Sequence, residues 1–205
     1  MQIAILTFEG FNELDSMVAL GILNRVKRPG WSARLACPTP SVTSMNGVRV
    51  DSQMTLAEAR EADVVLVGSG MKTREVVRDP ALMAELRFDP NRQLIGAQCS
   101  GALILAKLGL LGSGPACTDT TTKPWVQEAG VAILEQPFHA RGNVATAGGC
   151  LASQYLATWV IASTLGEEAA RAALLYVAPV GEKDEYVRRA MANVAPYATR
   201  AKAEA

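Results

Sequence analysis

The sequence predicts an α/β protein: a three-layer sandwich whose mostly parallel central sheet carries helices on both faces. Three observations predict it. Short apolar runs alternate with longer segments of helical spacing. The runs are nearly continuous, without the in–out alternation of a half-solvated sheet, so they are buried on both faces. Residue types suited to chemistry follow three of the runs directly: Asp15, Ser69-Gly70 and Cys99. In parallel sheets, sites form at the carboxyl ends of strands.

The first strand is Gln2 to Thr7, and Phe8 to Asn12 is a loop. Leu14-Asp15-Ser16 opens a helix that carries Met17, Leu20, Leu23 and Val26 and ends at Pro29-Gly30. Ala33 to Cys37 is a second strand, followed by a loop with Pro38 and Pro40. Met45-Asn46-Gly47-Val48 reads as a turn beside a short strand. Thr55 caps a short helix to Ala62, with Glu58 three positions on. Asp63 to Val67 is the central strand and leads into Gly68-Ser69-Gly70. Asp79-Pro80 starts a helix through Leu86. Leu94 to Gln98 is a strand, and Ser100 to Leu108 a helix. After the glycines that follow come a polar run, Thr118 to Thr122, and a short helix from Pro124-Trp125 to Ala129. Val131 to Leu134 and Asn143 to Thr146 are further strands. Ala147-Gly148-Gly149 leads into helices at Leu151 to Leu165 and Glu167 to Val177. From Glu182 the chain is charged and alanine-rich, a surface helix or tail over 182–205.

The 205 residues suit one domain, with no repeat, linker or boundary. Hydrophobic residues make up 49% and charged residues 20%, a globular balance. The 20 basic and 20 acidic residues cancel, which argues against a nucleic-acid surface driven by bulk charge. The apolar segments are too short or too interrupted to span a bilayer. No signal-peptide pattern opens the chain, so a cytoplasmic location is expected. The four cysteines, Cys37, Cys99, Cys117 and Cys150, form no C-x-x-C pair and match no zinc spacing. With one histidine, His139, metal binding is not expected. No nucleotide-binding glycine loop is present, and no organic cofactor is expected.

The chain is organised around Ala97-Gln98-Cys99-Ser100-Gly101-Ala102, where a strand turns sharply into a helix. Such an elbow exposes a nucleophile at the top of a sheet. The adjacent helix N-terminus favours a thiolate at Cys99. The competing reading makes Cys99 a small buried apolar side chain. Asp15 is either a helix cap or a site carboxylate. Asp119 is either a loop residue bonded to its own backbone or a site acid. Cys117 and Cys150 read as packing residues rather than resolving thiols, with a place near the pocket as the alternative for both, and His139 as a surface or strand-edge residue.

These segments, together with Asp63 to Gly70, Gly109-Leu110-Leu111 and Ala145 to Gly149, resemble the ThiJ/PfpI superfamily, which has the class I glutamine-amidotransferase-like, flavodoxin-like fold. The resemblance runs to about Pro179. The aspartate after the first strand and the hydroxyl residue after the cysteine resemble most the isocyanide hydratase branch. The resemblance implies Cys99 as nucleophile and Asp15 as general acid/base. It implies that Ser100 supplies a backbone N–H and a hydroxyl orienting Asp15. It implies Gly70, in the loop with Ser69, as an oxyanion-hole N–H. Two departures stand out. Gly68-Ser69-Gly70 replaces the usual Pro-Gly-Gly. Asp119 occupies the position where many members carry a histidine, which leaves a mechanism of one cysteine and one acid. The implied activity is hydration of an isocyanide to an N-formamide. The alternatives are a glyoxalase/deglycase- or amidase-like cysteine enzyme, a non-catalytic redox sensor with an oxidisable Cys99, and a ligand-sensing protein. A homodimer acting on a small electrophile, with no nucleic-acid or membrane partner, is the implied assembly.

Overall fold

The first strand, β1 (Gln2–Leu6), sets the layering. Its side chains point alternately to the two sheet faces. Ile3 and Ile5 enter one apolar cluster, and Ala4 and Leu6 enter another. The computed structural model describes residues 1–198. The other strands are β2 (Ser32–Ala36), β3 (Ser41–Thr43), β4 (Arg49–Asp51), β5 (Val64–Val67), β6 (Leu94–Gln98), β7 (Phe138–Arg141) and β8 (Val144–Ala147). Six of them form one sheet in the order β2-β1-β5-β6-β8-β7, while β3 and β4 pair as a separate ribbon. Every pair in the large sheet is parallel except β7 with β8.

One face is covered by α1 (Glu13–Leu23), α7 (Ser153–Leu165), α8 (Glu167–Val177) and α9 (Lys183–Val194). The other face carries α2 (Leu56–Glu61), α3 (Thr73–Val76), α4 (Pro80–Glu85), α5 (Gly101–Lys107) and α6 (Lys123–Glu128). This is the expected three-layer sandwich. The central helix α7 is apolar nearly all round because it lies between the sheet and α8, and Trp159 in it is fully buried. Burying each large aliphatic or aromatic side chain contributes roughly 1.5–3 kcal/mol.

Local signals held where they had a mechanism. Thr55 and Glu58 form the reciprocal capping box. Asp79 accepts from the backbone N–H groups of Ala81 and Leu82, with Pro80 at the first helical position. The expected strand Val131 to Leu134 is not a strand. It makes only an isolated bridge, Ala116 with Ile133, because both backbone bonds go to the single residue Ala116. The edge strand beyond β8 is β7, which the sequence analysis does not predict: four residues, alternately buried and open. His139 lies in it, as a strand-edge residue. The segment 182–205 begins as a helix, α9, while 199–205 lies outside the described residues. Among the described residues, no helix is long and apolar enough to cross a membrane.

Candidate active site

The elbow exists and is strained. Cys99 has φ 45°, the only positive φ at a non-glycine among the described residues. That region costs an L-residue about 1–3 kcal/mol and persists only where surroundings enforce it. Here the Cys99 N–H donates to the Ala147 carbonyl at 2.8 Å, and the Thr118 hydroxyl donates to the Cys99 carbonyl at 2.8 Å. Gly101 follows because a Cβ there would sit 2.5 Å from the Val67 carbonyl oxygen. The elbow therefore presses against the end of the central strand, and only glycine fits.

Asp15 comes from the first turn of α1. It is not the cap: Asn12 is, its Oδ1 accepting from the Leu14 N–H at 3.1 Å. Asp15 is 2% exposed, and its Oδ2 accepts a short hydrogen bond from the Ser69 hydroxyl. Its Oδ1 has no partner among the described residues. The hydroxyl that touches Asp15 thus belongs to Ser69, whereas the resemblance implied Ser100. Ser100 lies too far round the elbow; its Oγ meets the Thr73 hydroxyl at 2.7 Å and accepts from the Gly70 N–H at 3.1 Å. The Gly70 N–H, implied as an oxyanion donor, is therefore already engaged by Ser100. Asp119 bonds its own loop: its Oδ1 accepts from the N–H groups of Thr121 and Thr122.

The thiol, the carboxyl and a second thiol converge. One donor atom each from Asp15, Cys99 and Cys150 lies within 4.8 Å of the others. Cys150 was expected to be a packing residue. It is half-buried at the site, and its sulfur accepts from Asn12 Nδ2 at 3.1 Å. A usable signal was present: Cys150 follows a strand end at Gly148-Gly149, the same logic that singled out Cys99. The expectation of no metal rested on cysteine spacing and on the single histidine, and both are silent about donors that meet from three distant segments.

Burial raises the Asp15 carboxyl to about 6, against the Ser69 hydrogen bond and the neighbouring Cys150 thiol, which lower it, while the Asp119 charge raises it further. Burial and then the charges of Asp15 and Asp119 push the Cys99 thiol well above its ordinary value. Burial, and then the two neighbouring carboxylates, thus oppose the thiolate that the helix N-terminus was expected to favour. The site opens into a cavity of about 570 Å³ bounded by Met45, Met71, Thr120 to Thr122 and Trp125, with Asp119 on its wall. Such a space admits a small molecule with an apolar group.

A family model described as the DJ-1/PfpI family matches residues 1–163. No curated protein matches the chain. Among solved structures, the chain is similar to a ThiJ/PfpI family protein from Pseudomonas syringae at 20% identity and TM-score 0.76, covering 94% of this chain and 90% of that one. It is similar to Schizosaccharomyces pombe DJ-1 at 15% identity and TM-score 0.75, covering 87% of this chain and 100% of that one. Oxidised Toxoplasma gondii DJ-1 is similar at 18% identity and TM-score 0.73, covering 86% of this chain and 97% of that one. These likenesses carry the α/β fold, and the family match carries the assignment: the chain belongs to the DJ-1/PfpI family.

Proposed function

We propose that the protein is a cysteine-dependent enzyme of isocyanide hydratase type. The observation that carries the reading is the strained elbow thiol of Cys99, within 4.8 Å of a buried carboxyl poised near 6 and open to a cavity. Cys99 and Asp15 hold one proton between them at neutral pH, since two buried negative charges at this distance repel. The Cys99 sulfur attacks the terminal carbon of R–N≡C as its proton passes to Asp15 and on to that carbon. The product is a thioimidate, R–N=CH–S–Cys99. Water adds to its carbon, the C–S bond breaks, the sulfur regains a proton, and R–NH–CHO leaves. Met45, Met71 and Trp125 would receive R.

The test is turnover of an aromatic isocyanide to its formamide by wild type, Cys99→Ala and Asp15→Asn. Formamide from wild type alone supports both roles. Formamide from Cys99→Ala overturns the nucleophile. No product from wild type removes the hydratase reading and turns attention to dicarbonyl substrates.

A second reading, a redox-responsive stress protein, draws support from the similarity to an oxidised DJ-1. It expects peroxide to add oxygen at Cys99, read by intact mass. A homodimer is also proposed. Leu14, Met45, Met71 and Leu151 are each 44–63% exposed, and each lines the cavity or adjoins Asp15 or Cys150. Sedimentation should show a dimer that Met71→Glu dissociates; a wild-type monomer at micromolar concentration would sink it.

A further inference from the structure

We propose that Asp15, Cys99 and Cys150 form a binding site for a thiophilic divalent ion, zinc(II), that occupies the nucleophile and silences it. The inference stands on side-chain geometry and does not depend on the isocyanide reading.

Both sulfurs face an amide donor whose orientation is fixed. Asn12 must turn Nδ2 toward Cys150 Sγ, because its Oδ1 is committed to the Leu14 N–H. Gln98 must turn Nε2 toward Cys99 Sγ at 3.5 Å, because the same nitrogen donates to the Gly149 carbonyl at 2.7 Å. Two sulfurs are thus both held as acceptors, side by side. As thiolates they would repel, and a cation between them removes the repulsion.

Asp15 supplies the third donor. Ser69 holds its Oδ2, while its Oδ1 is buried and unpartnered among the described residues. A buried, unpaired carboxylate oxygen is costly and calls for a partner. Zinc takes S and O donors in a tetrahedron at about 2.3 and 2.0–2.2 Å, which puts the donors about 3.5–3.8 Å apart. The three donors already lie within 4.8 Å, so a closure of about 1 Å suffices. A disulfide needs its sulfurs at about 2.05 Å, a far larger movement from the same separation. Two thiolates select a soft ion over magnesium or calcium. Cys99 and Cys150 line the cavity, so water would reach an ion held between them.

Asn12 and Gln98 then serve as the outer partners that orient metal-bound sulfur. Binding displaces the thiol protons, so it strengthens as pH rises. Since Cys99 cannot hold the ion and attack an electrophile together, ion and electrophile exclude each other.

The experiment is anaerobic titration of the reduced, full chain with zinc(II) against a competing chelator, with cobalt(II) as the absorbing probe. We expect one ion per chain, two thiols protected from a thiol reagent, and a sulfur-to-cobalt charge-transfer band. Cys150→Ser, whose side chain is half-buried and tolerates the change, should weaken binding by more than about 100-fold, beyond the usual cost of losing an outer partner. Asn12→Ala should weaken it by about 10–100-fold. Cys37→Ser lies away from the site and should leave affinity unchanged. Absence of saturable binding in the wild type overturns the site. So does binding with unchanged affinity in Cys150→Ser, or zinc-dependent protection of any thiols other than Cys99 and Cys150. Electrophile turnover does not enter these readouts, so the two proposals fail separately.

Discussion

Cys99 and Cys117 are both buried free cysteines, and their surroundings make them different chemical groups. Cys117 is fully enclosed; burial alone raises its thiol to about 12, against a hydrogen bond with Thr146 that lowers it. Its N–H donates to the Thr146 hydroxyl at 2.8 Å, and no carboxylate charge among the described residues contributes to its shift. Cys99 sits on a strained turn beside Asp15 and opens into a cavity. Burial therefore does not distinguish a structural cysteine from a reactive one. Backbone conformation and a neighbouring proton acceptor do.

The largest effect that sharpens this contrast is on turnover. Cys99→Ala should abolish formamide production, and Asp15→Asn should lower it by about 10²–10⁴-fold, the usual scale for losing a general acid/base. Cys117→Ala should keep its rate. Equal losses at Cys99 and Cys117, measured by steady-state kinetics, would erase the distinction.

Next comes the stability that the site costs the fold. The folded carboxyl of Asp15 is raised to about 6 from an ordinary 3.8, so the native state binds the proton more tightly than the unfolded chain. Its contribution is fully present below pH 4 and is lost as pH rises through about 6, on the order of 3 kcal/mol. Asp15→Asn should therefore stabilise the protein by about 1–3 kcal/mol at pH 8 and change little at pH 4, read by denaturant titration. A gain independent of pH would contradict the buried-charge account.

Gly101→Ala tests what holds the elbow. Its Cβ would meet the Val67 carbonyl oxygen at 2.5 Å, so the turn must shift. A loss of about 1–3 kcal/mol is expected, with turnover falling as well. Unchanged melting and rate would mean the elbow is not pinned there.

The smallest effect isolates the backbone. At Cys99, glycine should be more stable than alanine by about 1 kcal/mol, because only glycine adopts positive φ without strain. At Cys117 the order should reverse. Urea midpoints of Cys99→Gly against Cys99→Ala, and of the same pair at Cys117, give the comparison.

The candidate site was legible in part. Asp15, Ser69 and Cys99 were marked by position after apolar strands, and the structure brings them together. The assignment of hydroxyls was not legible. Ser69 and Ser100 flank the site from different loops, and which one meets Asp15 depends on the direction each loop takes. The position of Cys150 after a strand end was readable, but its partner was not: Asn12 lies 138 residues away. β7 went unread because a four-residue edge strand with one open face carries little apolar signal.

The sequence by itself determined the layers, the mostly parallel character of the central sheet and the elbow. These rest on local signals: apolar runs, caps, and a small residue where the turn must approach a neighbour. Tertiary structure alone decided the protonation of Cys99 and Asp15, the engagement of the Gly70 N–H, and the meeting of two thiols with one carboxyl. Those properties depend on burial and on distances between segments far apart in the chain, and local pattern carries neither.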